Sequence, residues 1–113
     1  MGLVSEPQQV SMVLGVLGGI RPTARNVAHM AEQMPPGRHD WGVIAIGRGQ
    51  WPLIGTALAL GGNVRAGLED NFYLPDGEMA RSNGDLIARA RRLTEDAGRR
   101  AATVVEARAA LGV

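Results

Sequence analysis

Three predicted strand segments constrain the fold of this chain more than any other feature. They lie at residues 12–17, 41–46 and 63–69. Two are apolar runs, and in the third apolar residues alternate with Arg65, Gly67 and Glu69. Apolar runs of this length between glycines are typical of strands that are covered on both faces, as in a parallel sheet. The sequence therefore predicts three short parallel strands.

Helices are predicted between and after these strands, each with a signal near its N-terminal end. The signals are Thr23 as an N-cap, Pro52 in a first turn, Ser82 as an N-cap, and Thr103 with Glu106 as a capping box. Proline or glycine ends each helix, at residues 35–37, 61–62, 98 and 112. The order β-α-β-α-β-loop-α-α predicts an α/β fold with right-handed crossovers.

Three parallel strands make an open, unfinished sheet. A closed (β/α)8 barrel needs about 250 residues, so a chain of 113 residues corresponds at most to the last part of one. The length allows one domain and is too short for two. A small doubly wound domain, complete in itself, is the alternative that the pattern leaves open.

Composition excludes several classes of function. The net charge is +1 with acids and bases interspersed, which does not suit nucleic-acid binding. The chain has no cysteine and no lysine, which excludes thiolate and Schiff-base chemistry. The first twenty residues contain Glu6, no basic residue and a short apolar run broken by glycines, so we expect no signal peptide, no membrane span and a cytoplasmic location.

The third predicted strand ends in two adjacent carboxylates, Glu69 and Asp70. Ligands of parallel α/β folds bind at the carboxyl ends of the strands. Strand alternation places Arg65 and Glu69 on one face, with Gly67 leaving room between them. Asp70 joins the same site only if the chain leaves the extended conformation at residue 70.

Neighbouring carboxylates repel one another unless a cation lies close to both. A divalent metal on Glu69 would remove the conflict and leave Asp70 as a general base, helped by Arg65. The competing interpretation is that the two acids cap the loop and pair with Arg65 or Arg81. The residues alone leave both interpretations open.

Other candidates are weaker. His29 and His39 are not expected to bind metal, because one lies in a helix and the other at the opposite end of the sheet. The glycine turns at residues 18–19 and 47–49 have backbone amides suited to a phosphate or thioester oxygen, although such glycines commonly serve turn geometry alone. The arginines between residues 89 and 100 are expected to form the solvated face of a helix.

The segment Gly-Gly-Asn-Val-Arg-Ala-Gly-Leu-Glu-Asp-Asn at residues 61–71 resembles the C-terminal part of the β-keto acid cleavage enzymes. Residues 73–74 and 82–83 extend the resemblance, and residues 14–20 and 46–48 resemble the family's preceding strand ends. The similarity covers nearly the whole chain.

This resemblance implies a (β/α)8 TIM barrel with a divalent metal, usually zinc. Such an enzyme condenses a β-keto acid with acetyl-CoA and releases acetoacetate and a new acyl-CoA. By motif match, Glu69 would bind the metal, Asp70 would be the base acting on acetyl-CoA, and Arg65 would orient Asp70. The family also implies a homo-oligomer.

One family motif is missing. The family's two other protein ligands come from a His-x-His motif, which this sequence lacks. We therefore expect residues 1–113 to be a single partial domain, the C-terminal fragment of a barrel, that binds zinc poorly and is inactive alone. The alternatives are a noncatalytic small α/β partner that completes another barrel through its open sheet edge, and a phosphate- or CoA-binding module built on the glycine turns.

Overall fold

The computed structural model describes residues 7–37 and 39–113, which confirm the predicted α/β order. The elements are β1 (Gln8–Leu14), α1 (Ala24–Glu32), β2 (His39–Ala45), a 3₁₀ turn (Gly47–Gly49), α2 (Gln50–Ala59), β3 (Asn63–Val64), α3 (Asn83–Asp96) and α4 (Val104–Leu111). Of the N-terminal segment predicted to lack a signal peptide, residues 1–6 lie outside the described residues. Within the described part of the chain, no helix is long and apolar enough to cross a membrane.

The three strands form one parallel sheet in the order β1-β2-β3. β1 and β2 pair along their whole length, from Gln8 beside His39 to Leu14 beside Ala45. β3 pairs with β2 at two positions only, Gly42 with Asn63 and Val43 with Val64. The sheet is therefore a two-stranded ribbon with a very short third strand.

Helices cover one face of this sheet. The first core cluster joins the sheet to α1 and α2, and the second joins α2 to α3 and to the loop after β3. The first consists of Met12, Leu14, Val27, Val43, Ala45, Leu53 and Ala57. The second consists of Trp51, Ile54, Leu58, Ala66, Ala80, Leu86 and Ala90.

The opposite face of β1 is open. Gln9, Ser11 and Val13 alternate with its covered residues and are exposed, Val13 to 44%. The expectation of a strand covered on both faces is therefore wrong for the described chain by itself, since these three side chains stay exposed among residues 7–37 and 39–113. We name this surface, carried by Gln9, Ser11 and Val13, the open face.

The predicted strand boundaries were wrong at several ends. β1 begins at Gln8 rather than residue 12, and β2 spans His39–Ala45 rather than residues 41–46. β1 ends at Leu14 rather than residue 17, because Gly15 has a φ of +93° and its amide donates to the carbonyl of Ile20 at 2.9 Å. β3 ends at Val64 rather than residue 69, and residues 68–70 form a turn. Leu17 is consequently fully exposed.

Two of the three predicted side-chain caps are confirmed. The Thr23 hydroxyl accepts from the amide of Asn26, and Thr103 with Glu106 forms a complete capping box. Ser82 occupies the N-cap position of α3 with extended backbone, but its side chain makes no capping hydrogen bond. Instead, Asp85 accepts from the amide of Arg81 at 2.9 Å.

Candidate active site

A tight turn follows β3 at the carboxyl end of the sheet. The amide of Arg65 still donates to Val43 of β2 at 3.2 Å, and the amides of Asp70 and Asn71 then both donate to the carbonyl of Gly67, at 3.0 and 3.1 Å. The amide of Leu68 donates to Oδ1 of Asn83, at the start of α3, at 2.8 Å. The turn is thus held from both sides, and it takes the chain out of the extended conformation before residue 70.

The two acids of this turn have different environments. The side chain of Asp70 is 4% exposed, whereas that of Glu69 is 81% exposed. The exposure of Glu69 is a consequence of the turn, since residue 69 no longer lies in a strand. One carboxylate is therefore enclosed by the protein and the other faces solvent.

Arg65 contacts both acids. Its Nε lies 3.1 Å from Oδ2 of Asp70, and its Nη2 donates to Oε2 of Glu69. Burying a carboxylate without a partner is costly, and the guanidinium of Arg65 supplies that partner for Asp70 in its enclosed position. The structure brings together the three residues that the sequence singled out, through the turn rather than through strand alternation.

Asp70 retains unused hydrogen-bonding capacity. Its Oδ2 is buried and, among the described residues, accepts no hydrogen bond of good geometry, the Arg65 contact being an ion pair. Such an oxygen can accept a hydrogen bond or a proton from a group placed directly against it.

A buried polar network lies beside this acid, and the sequence interpretation missed it. Asn71 donates to the carbonyl of Tyr73 at 2.6 Å and to Oε1 of Gln50 at 3.4 Å. Gln50 is fully buried at the start of α2, and Trp51 donates from its indole nitrogen to the same Tyr73 carbonyl at 2.8 Å. A glutamine placed directly after a glycine turn at a helix start was the available signal for this network.

In the glycine turns at residues 18–19 and 47–49, two of the backbone amides that were expected to bind an anion already donate hydrogen bonds within the protein. The amide of Gly19 donates to Val16 at 2.9 Å, and that of Gly47 donates to the carbonyl of Asp70 at 2.7 Å. Gly18 and Gly47 have φ of +78° and +70°, which glycine adopts without strain. Backbone geometry therefore accounts for these positions.

The described residues do not form a zinc site by themselves. Residues 7–37 and 39–113 contain no group of three His, Cys, Asp or Glu side chains that could hold a metal ion. His29 lies in α1, and His39 begins β2 at the amino end of the sheet. Glu69 offers one exposed carboxylate, which is less than the three or four protein ligands of a zinc site.

Comparison with known proteins decides the family. A model of the beta-keto acid cleavage enzymes matches residues 1–113. The chain belongs to the beta-keto acid cleavage enzyme family. It is 39% identical over 112 residues to a 3-keto-5-aminohexanoate cleavage enzyme of Acetoanaerobium sticklandii, which covers 99% of this chain and 41% of that relative.

Other members of the beta-keto acid cleavage enzyme family align in the same way. A 3-keto-5-aminohexanoate cleavage enzyme of Fusobacterium nucleatum is also 39% identical, over 99% of this chain and 40% of the relative. A 3,5-dioxohexanoate:acetyl-CoA acetone transferase of Paraburkholderia graminis is 34% identical, over 95% of this chain and 36% of the relative. The chain therefore spans about two fifths of the length of the curated relatives that it matches.

Proposed function

We propose that this chain supplies the C-terminal part of a (β/α)8 barrel enzyme that cleaves a β-keto acid with acetyl-CoA, yielding acetoacetate and a new acyl-CoA. The observation that carries the proposal is the contact of Arg65 with both the buried Asp70 and the exposed Glu69. Membership of the family and the acetyl-CoA in the name of the Paraburkholderia relative support the reaction class.

The open face supports the barrel. Parallel strands are found almost only in sheets with both faces covered, and here helices cover one face while Gln9, Ser11 and Val13 stay exposed. In a barrel, the open face would line the interior, and α1 and α2 would belong to the outer ring of helices.

The two acids take different roles in this proposal. Asp70, enclosed and oriented by Arg65, acts as the general base that removes a proton from the carbon that becomes the nucleophile. Glu69 supplies the single carboxylate ligand of a divalent metal, which the resemblance of residues 61–71 implies is zinc. When bound, such an ion polarises carbonyl oxygens and stabilises an enolate. The remaining ligands belong to parts of the barrel outside the described residues.

The proposed roles of Asp70 and Glu69 can be tested separately in a chimera. In the Acetoanaerobium enzyme, the matching 41% is replaced by this chain, and acetoacetate formation and bound zinc are measured together. We expect Asp70→Asn to lower turnover by about 10² to 10⁴-fold with zinc retained, because it removes the base. We expect Glu69→Gln to lower the zinc content, because it removes a ligand.

Asp96→Asn is the matched control, since Asp96 is an exposed acid at the end of α3. It should change neither readout. A chimera that folds and binds zinc but keeps full turnover when it carries Asp70→Asn would contradict the proposed base. A folded chimera with no turnover at all would favour the noncatalytic partner that completes another barrel.

A further inference from the structure

A cavity lies between the loop after β2 and the loop after β3. Its volume is about 400 Å³. Its walls include Arg48, Trp51, Asn71, Tyr73, Leu74 and Pro75. Barrel enzymes frequently bind phosphate groups between the loops after their last two strands. In the proposed barrel, β2 and β3 would be those strands.

The walls of this cavity are preformed. The carbonyl of Tyr73 accepts from both Trp51 and Asn71, at 2.8 and 2.6 Å, and the amide of Tyr73 donates to Oδ1 of Asn71 at 3.2 Å. Farther along the loop, Leu74 donates to Glu78 and Ala80 donates to Phe72, both at 2.8 Å. A ligand would therefore enter a shaped pocket without having to order the loop.

The chemical character of the cavity favours a phosphorylated nucleotide. Arg48 is exposed, and its side chain makes no hydrogen bond or ion pair with any of residues 7–37 and 39–113. The Tyr73 ring is partly exposed, and Leu74 and Pro75 add apolar surface. A free guanidinium recognises phosphate oxygens, and an exposed aromatic ring stacks on a base.

An acid on the same wall of the cavity limits how a nucleotide can be oriented in it. Asp76 also lines the cavity, with Oδ1 accepting from the amide of Glu78 at 3.0 Å. Its charge repels phosphate, so a phosphate would lie on the Arg48 side. The amino group of adenine is a hydrogen-bond donor and is suited to the Asp76 side.

We propose that this cavity binds the phosphorylated adenosine end of an acyl-CoA thioester, with Arg48 pairing with a phosphate and the Tyr73 ring lying against adenine. The inference rests on the proposed function and specifies where its co-substrate binds. Asn71 lines the cavity and directly follows Asp70 in the chain. The pantetheine arm, which separates the adenosine end from the thioester, would then extend from this cavity toward the acids.

Calorimetric titration of the 113-residue chain, and of the chimera, tests this assignment. The probes are coenzyme A, adenosine 3′,5′-bisphosphate, pantetheine and inorganic phosphate. We expect the first two to bind more tightly than the last two. Arg48→Gln should weaken coenzyme A binding about tenfold, the size of one lost charge-assisted contact at an exposed site.

Tyr73→Ala should also weaken coenzyme A binding, because it removes the ring proposed to lie against adenine. The loop itself should keep its shape, because its hydrogen bonds to residue 73 are made by the backbone. Arg25→Gln is the matched control, since Arg25 is an exposed arginine of α1 away from the cavity, and it should bind like the parent chain. The assignment is overturned if coenzyme A gives no heat, if pantetheine or phosphate binds as tightly, or if Arg48→Gln has no effect.

Failure here is distinguishable from failure of the proposed function. Asp70→Asn should leave coenzyme A affinity unchanged while lowering turnover of the chimera. Unchanged affinity in Arg48→Gln, combined with lost turnover in Asp70→Asn, would reject the cavity and keep the reaction. Weakened affinity in Arg48→Gln, combined with full turnover in Asp70→Asn, would keep the cavity as the coenzyme A site and reject Asp70 as the base.

Discussion

Some single residues of this chain are constrained by the close packing of a neighbouring side chain rather than by charge. Gly62 is buried beside Trp41, at the point where α2 returns to the sheet. A Cβ added to Gly62 would lie 2.5 Å from the Trp41 ring, whereas a Cβ added to Gly55 of α2 would meet nothing within 4 Å. Alanine substitutions at these two glycines therefore compare a crowded position with an open one.

Gly62→Ala is expected to destabilise the fold by about 1–3 kcal/mol, since the Trp41 ring must move away. Gly55→Ala should instead stabilise it by about 0.5–1 kcal/mol, because alanine is the better helix former. Urea denaturation of the two variants measures both free energies of unfolding. Equal effects of the two substitutions would contradict the packing argument.

The sequence predicted the residues of the candidate site but not their arrangement. Arg65, Glu69 and Asp70 were identified from adjacency and strand alternation, which are local properties. The turn that joins them depends on the carbonyl of Gly67 and on Asn83, fifteen residues farther along the chain than Leu68. Local patterns contain no information about such a contact, so the difference in exposure of the two acids was not predicted.

At the scale of elements, two of the three side-chain caps predicted from local signals are confirmed, whereas a stabilising contact from a distant residue was missed. Thr103 and Glu106 are three residues apart, and their capping box is confirmed. Arg99 was expected on a solvated helix face, and this was wrong. Its guanidinium donates to the carbonyls of Gly62 at 2.6 Å and Leu58 at 3.3 Å, which stabilises the C-terminal end of α2.

The start of α4 has a defined pH dependence. The side-chain hydrogen bond from Arg100, together with hydrogen bonds from Thr103, lowers the pKa of Glu106 from 4.5 to about 2. Because the folded pKa lies below the unfolded one, the stabilisation is complete above the unfolded pKa and is lost as the pH falls through about 2. Amide exchange of α4 measured against pH should show this loss.

Glu106→Gln should remove that pH dependence, because the titrating group is gone. Glu32→Gln, at an exposed acid of α1, should leave it unchanged. A midpoint at the ordinary value of 4.5 would contradict the effect of Arg100.

At the scale of the whole molecule, the helices and the parallel order followed from the sequence, whereas the open face did not. A continuous apolar run predicts burial on both faces, but it does not reveal whether the same chain provides both covers. In β1, one face meets α1 and α2, and the other carries Gln9, Ser11 and Val13. The exposed valine is consistent with a cover supplied by other strands of the proposed barrel.

A single thiol tests whether the open face becomes covered. The chain has no cysteine, so Ser11→Cys introduces one reactive group on the open face and Gly55→Cys introduces one on the outer side of α2. In the isolated chain we expect both thiols to react rapidly with a maleimide. In the chimera, the thiol at position 11 should be protected several-fold or more, while the thiol at position 55 stays reactive. Equal labelling of the thiol at position 11 in the isolated chain and in the chimera would argue that the open face does not line a barrel interior.

The 2.7 Å hydrogen bond from the amide of Gly47 to the carbonyl of Asp70 joins the loop after β2 to the loop after β3. Because Arg48 follows Gly47 directly, the arginine proposed to bind phosphate and the acid proposed as the base are each only a few bonds from this hydrogen bond. A nucleotide that displaced the first loop would therefore move the backbone of Asp70 at the same time. Binding of the proposed co-substrate and alignment of the proposed base would then be a single event.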